Sequence, residues 1–335
     1  MSRSRRMFLP AMALMLTAAH FCSPQARAVD AKLLPGDTEV LITVNFKQML
    51  DSPIAKQYKD LIDQGRGALE AQIQNNPAAK YLEKAGFDVL RDLHSVTIAS
   101  NGSKEIDALF FVVEGKFNPA KVVEAAQDIA RDNAEVLKIT KIGSAHIFEI
   151  TPPGEKRIYA ALINDRTLIA CATEEGVKDA VNGGARKSMK DGFKSLLKTT
   201  SPKQSFSMVA TGSALAKLAE NSPVPNADAA AGMLQGLDGL SISVTLNKDI
   251  QFQVGVTSKD EETTKKAVAM GNFGLLTVRT LAAQKAKQDE RMLPLVDVAK
   301  TLRITSEGNN VVLRGDITLE NLEKLIKLLP NNFNR

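Results

Sequence analysis

The sequence predicts an α+β fold, a duplicated unit of antiparallel sheet backed by helices. Three observations predict it. Short runs rich in Val, Ile, Thr and Phe come in pairs split by Asn, Gly or Asp, the composition of β-hairpins. Stretches with apolar residues at helical spacing alternate with those pairs, several opened by an N-cap residue. The order strand, helix, hairpin, helix, hairpin, helix occurs before residue 183 and again after residue 203.

Each element can be justified in turn. Glu39 to Phe46 is β-rich and follows the turn residues of Leu34-Pro35-Gly36-Asp37-Thr38. Ser52-Pro53 supplies an N-cap followed by proline at the first helical position. Ile54, Tyr58, Leu61, Ile62, Leu69 and Ile73 keep helical spacing after it, and the helical region is expected to run past Pro77 to about Leu90. Val96 to Ser100 and Ala108 to Glu114 read as strands joined through Asn101-Gly102-Ser103-Lys104. Asn118-Pro119 opens a helix with Val122, Val123, Ala126, Ile129 and Ala130 on one face. Two hairpins follow, Leu137 to Ile142 with Ala145 to Ile150 around Gly143, and Ile158 to Ile163 with Leu168 to Ala172 around Asn164-Asp165. A short helix, Glu174 to Val181, closes this half.

The second half repeats the plan. Gln204 to Ala210 is a strand and Ser213 to Glu220 a helix. Leu240 to Leu246 and Ile250 to Val256 pair around Asn247-Lys248-Asp249. Ser258-Lys259-Asp260-Glu261 reads as a capping box opening a long helical region. Leu302 to Thr305 and Val311 to Arg314 form a last hairpin, and Thr318 starts a helix bearing Leu319, Leu322, Leu325, Ile326 and Leu329. This copy lacks one hairpin and lengthens its helices. The expected organisation is an export signal over 1–28, a first repeat over 29–183, a connecting segment over 184–203 and a second repeat over 204–335. The Ala-rich stretch Asn221 to Gly236, with Pro223 and Pro225, reads as an insert within the second repeat.

The first 28 residues have the three parts of an export signal: basic Arg3, Arg5 and Arg6, an apolar stretch from Met7 to Cys22, and a polar end at Ala26-Arg27-Ala28. Pro10, Thr17 and His20 interrupt the apolar stretch, which is shorter than the roughly 20 apolar residues of a spanning helix. No stable membrane span is therefore expected after cleavage behind Ala26 and Ala28. Ser4-Arg5-Arg6-Met7-Phe8-Leu9 resembles the twin-arginine export consensus, with Arg5, Arg6, Phe8 and Leu9 at its defining positions. Pro10 stands where that motif commonly has Lys, so an ordinary secretory signal with paired arginines is the alternative.

Composition removes several function classes. The signal holds four arginines and no acid, so the 43 Lys and Arg of the chain fall to 39 against 38 Asp and Glu, and the mature charge is about +1. That balance gives no basis for nucleic-acid binding, which needs clustered excess cations. The dense basic run Arg186-Lys187-Ser188-Met189-Lys190 reads as a solvated loop. Cys22 leaves with the signal, so Cys171 has no disulfide partner and reads as a buried small hydrophobe in an apolar run. The absence of Trp and the presence of only three Tyr argue against an aromatic ligand cage.

Motifs that carry chemistry are sparse. His94 and His146 are the histidines outside the signal; they sit at the edges of different expected strands with no ligand-spaced partner, so no metal site is expected. Ser195-Leu196-Leu197-Lys198 matches the loose S-x-x-K pattern without its K-T-G and S-D-N partners. Gly183-Gly184-Ala185-Arg186-Lys187-Ser188 lacks the phosphate-loop spacing. Carboxylate pairs such as Asp128 with Asp132 and Glu261 with Glu262 read as solvated helix faces.

The opening Leu34-Pro35-Gly36-Asp37-Thr38, the strand into Asn45-Phe46 and the repeated element order resemble a group of uncharacterised exported bacterial proteins whose mature chains begin with an L-P-x-D-T segment. The resemblance implies no reaction and no site residues. The expectation is a periplasmic or cell-envelope protein acting as a non-enzymatic binding or structural module for an envelope protein or small ligand, with no cofactor. The alternative is a hydrolase with a dispersed carboxylate or Ser site.

Overall fold

A computed structural model describes residues 29–74, 79–103, 105–152, 154, 156–183, 189–220, 234 and 236–327. Arg5, Arg6, Phe8, Leu9, Ala26 and Ala28 of the expected signal lie outside these residues, as do 184–188 and the insert at 221–233. The chain divides into two compact units, Met1–Asp51 with Ala55–Lys190, and Ser52–Ile54 with Asp191–Arg335. Both are antiparallel sheets with helices packed on them, the α+β architecture expected.

In the first unit the strands are β1 (Val40–Asn45), β2 (Leu93–Ser100), β3 (Phe110–Gly115), β4 (Leu137–Ile142), β5 (Ala145–Ile150), β6 (Ile158–Leu162) and β7 (Thr167–Cys171). They lie side by side in the order β1-β2-β3-β7-β6-β5-β4. The β4–β5 turn holds Gly143 at φ 59°, a left-handed conformation that glycine adopts without strain.

A helix begins immediately after β1. It is an addition to the expected start at Ser52-Pro53: α1 (Phe46–Asp51) precedes α2 (Pro53–Gln57), which does begin at the proline, and α3 (Lys59–Gln74). The reason is local, because Asn45 Oδ1 accepts the Gln48 amide at 3.0 Å and caps the turn before the proline. Phe46 and Leu50 of α1 then bury against Val96 of β2, with Val44, Ile62, Leu93, Ile98 and Val113 around them. The helical region expected to reach Leu90 is divided into α4 (Ala79–Lys84) and α5 (Val89–Asp92). Gly86 at φ 68° lies between them, and Asp88 caps α5 through the amides of Leu90 and Arg91.

Helix α6 (Pro119–Asp132) starts as its sequence indicates: Asn118 accepts the Lys121 amide and proline occupies the first turn. Its apolar face lays Val122, Val123, Ala126, Ile129 and Ala130 against Leu137, Phe148 and Ala160. The other face of the same strands carries Ile147, Ala161 and Ile169, all but inaccessible, under α7 (Glu174–Val181), whose Val177 is equally buried. Thr173 caps α7 through the Gly176 amide.

The second unit contains β8 (Phe206–Thr211), β9 (Leu237–Leu246), β10 (Ile250–Ser258), β11 (Arg303–Glu307) and β12 (Asn310–Ile317), in the order β8-β9-β10-β12-β11. Its helices are α8 (Asp191–Leu197), α9 (Gly212–Glu220), α10 (Glu261–Gln288), α11 (Leu293–Thr301) and α12 (Leu319–Ile326). Helix α8 falls inside the segment expected to be a connector. Its Phe193 and Leu196 are buried, and it packs on β8 and β9, so the stretch belongs to the core of this unit.

The two units share one connectivity. In each, the first three strands are neighbours in sequence order, the chain crosses over through helix, and the last strand returns beside the third. Unit 2 thus matches unit 1 with β4 and β5 removed. The capping box expected at Ser258 is displaced: Asp260 is the N-cap of α10 and accepts the Thr263 amide at 2.7 Å. Ser258 instead ends β10 in full burial, its amide donating to the Asn309 carbonyl.

Candidate functional site

Helix α10 carries the most unusual surface among the described residues. Thr264, Leu275 and Ala286 are its buried side chains, spaced eleven residues apart and so aligned along one side of the helix. That side packs on α11 and on β10, β11 and β12. At about 100° per residue, Met270, Phe273 and Leu281 fall on the opposite side. They are 75, 72 and 54 % exposed, and Leu276 beside them is 62 % exposed. An amphipathic helix on a globular unit turns its polar face outward; α10 turns an apolar one.

Charge is arranged around this face. No acidic residue occurs from Thr263 to Gln288, whereas Lys265 and Lys266 lie near one end and Lys285 and Lys287 near the other. The first two pair with Glu261 and Glu262 one turn back, at 3.0 and 2.6 Å. Arg279, the one cation between, is turned inward. Its guanidinium donates to the carbonyls of Ala299, at 3.1 Å, and Leu302, closing the C-terminal end of α11. The outward face between the lysines is therefore uncharged.

A polar cluster lies at the start of β2. His94 is the second residue of β2, at the edge of the strand, where the register between β2 and β3 shifts. Burial, followed by the charge of Lys47, holds its imidazole below the ordinary value, with Arg166 acting the same way and Asp92 and Asp51 opposing. Asp92 is buried, which raises its carboxyl, but hydrogen bonds from Arg91 and the Asp88 amide outweigh burial and hold it below the usual range. Each acid here has a structural partner, and Glu114 accepts from Ser95 at 2.9 Å. The cluster closes a strand end.

The remaining sequence candidates are dispersed. His146 sits in β5 opposite Lys141 of β4. Cys171 is buried, its thiol pushed up by burial and donating to the Thr173 carbonyl at 3.1 Å, which leaves it poorly suited to act as a nucleophile. Ser195 and Lys198 are both exposed at the end of α8, without the enclosing groups that activation of a serine requires. Asp128 pairs with Arg131 at 3.2 Å on the surface of α6. No group of three or more metal-ligating side chains occurs among the described residues. Nor is any helix among them long and apolar enough to cross a membrane.

Sequence reasoning missed Met270, Phe273, Leu276 and Leu281. The available signal was the acid-free stretch itself, combined with apolar residues on two sides of one helix.

No family model and no curated protein matches the chain. Among solved structures, crystal form III of TP0453 aligns with 92 % of this chain and 99 % of that one, at a TM-score of 0.42 and 11 % identity. A likeness at that level says nothing of ligand or activity.

Proposed function

We propose that the chain is an exported, non-enzymatic binding protein of the cell envelope, and that the outward face of α10 is its contact surface. The carrying observation is the exposure of Met270, Phe273 and Leu276 on the side of α10 away from its own unit. Contiguous apolar side chains left in water ordinarily mark an interaction surface. The dispersal of His94, His146, Cys171 and Ser195 weighs against the hydrolase reading, because acid-base and nucleophilic chemistry needs such groups within hydrogen-bond reach of one another.

Export is supported by the basic, apolar and small-residue order of residues 1–28 and by the L-P-x-D-T opening that follows. The shared strand order of the two units supports their origin as one duplicated α+β unit. Replacing Arg5 and Arg6 together with Lys should strand the protein in the cytoplasm, as read by fractionation and immunoblot. Export unaffected by that change would assign it to the general secretory route. Binding is tested by capture from envelope extract with the native protein and with Phe273→Asp. Components retained by the first and lost by the second support the reading, whereas identical recoveries remove α10 as the contact surface.

A further inference from the structure

We infer that the outward face of α10 seats on an anionic lipid surface, with the helix lying in the headgroup plane. This rests on the reading of α10 as a contact surface and names what it contacts. The first ground is charge: of the five cations between Thr263 and Gln288, a stretch without an acid, Lys265 and Lys266 are paired with Glu261 and Glu262 and Arg279 is turned inward, which leaves Lys285 and Lys287 to carry the excess positive charge, although the mature chain as a whole is nearly neutral. Lys285 and Lys287 are exposed and make no ion pair among the described residues. Their long stems let the ammonium groups reach lipid phosphates while Met270, Phe273 and Leu281 enter the acyl boundary.

The second ground is the width of the apolar face. Leu276 and Leu281 stand about 140° apart around the axis. A single partner helix buries a narrow seam with apolar residues at every seam position. Here the positions along that seam after Phe273 are Thr277, Thr280 and Gln284, so a second copy of α10 laid along it would find no large apolar side chain to pack on there. A continuous apolar phase contacts the whole arc, and the Thr277 and Thr280 hydroxyls within it already donate to the Phe273 and Leu276 carbonyls, at 3.2 and 2.9 Å. Leu293 and Leu295, exposed at the start of α11, extend the apolar surface of this unit. Since α10 is not apolar enough to cross a bilayer, it lies on the surface.

The absence of Trp from the chain supplies the experiment. Phe273→Trp places one indole on the face, and Leu281→Trp provides a second reporter should the first variant fold poorly. Both are purified in the same processed form as the native protein and titrated with vesicles of phosphatidylglycerol and phosphatidylcholine, or of phosphatidylcholine alone. The expected result is an emission shift to the blue, with quenching by brominated acyl chains, on the anionic vesicles only. Lys285→Gln and Lys287→Gln should each weaken partition about fivefold, and Met270→Asp about tenfold.

Emission unchanged by anionic vesicles overturns the inference. So does equal partition into both vesicle types, or a blue shift that grows with protein concentration in the absence of lipid, which would assign the face to a second copy. If vesicles fail while capture from envelope extract still depends on Phe273, the lipid assignment falls and the binding reading stands. If both fail, both fall.

Discussion

At the scale of single residues, the fold depends on close approaches that only particular side chains permit. Gly212 opens α9, and a Cβ built there would lie 2.0 Å from the Leu237 carbonyl oxygen and 2.6 Å from that of Leu234. Neither is the end of a flexible side chain, so the clash cannot be relieved by a rotamer change. Gly212→Ala should cost about 2–3 kcal/mol, measured by urea unfolding, and a loss below 0.5 kcal/mol would mean that α9 shifts on the strand freely. His94 makes a second prediction, on pH. Its imidazole is held below the ordinary 6.5 by burial and by Lys47 and Arg166, with Asp92 and Asp51 only partly offsetting them. The unfolded chain therefore binds the proton at a higher pH than the folded chain does. Stability should fall as pH drops through the unfolded value toward the lowered one, and level off below it. His94→Gln should flatten that fall in the urea midpoint, and an unchanged slope would place the dependence elsewhere.

At the scale of elements, the sequence was most legible where chemistry fixes an end. Asn118 and Thr318 each cap the helix expected of them, because a short side-chain oxygen before a helical pattern has one obvious set of amides to accept. Thr318→Ala should cost about 1 kcal/mol, read as a lowered urea midpoint, since its hydroxyl accepts the Asn321 amide at 3.2 Å. The hairpin β4–β5 was equally readable, with Gly143 marking the turn. The errors have separate causes. At α10 two cap candidates stood two residues apart, and the extension of β10 through Ser258 left Asp260 as the cap. At α1, a cap supplied by a strand residue, Asn45, gave no separate signal before the more conspicuous Ser52-Pro53. Helix α8 was hidden because a helix of seven residues shows too few turns for its periodicity to stand out, and two buried side chains, Phe193 and Leu196, are what hold it.

At the scale of the whole molecule, exposed apolar surface is unevenly distributed, and this is what sequence patterning could least reveal. Of ten exposed large hydrophobic residues among those described, eight belong to the second unit and five of these to α10. A sequence shows that Met270, Phe273, Leu276 and Leu281 are apolar, and the ordinary inference from apolar residues on a helix is a core-facing stripe. The inference fails here because α10 has two apolar sides, and the strands it packs on take the side marked by Leu275. The outward residues are then free of any structural duty within the unit, and this can be tested. Met270→Gln, Phe273→Gln and Leu276→Gln combined keep good helix formers at each position and remove the exposed apolar area. Because surface substitutions ordinarily change stability by no more than about 0.5 kcal/mol each, thermal unfolding should remain close to that of the native chain while binding of an apolar fluorescent dye drops sharply. A collapse of the unfolding midpoint would show instead that these side chains help to hold the fold, and α10 would lose its standing as a surface built for contact.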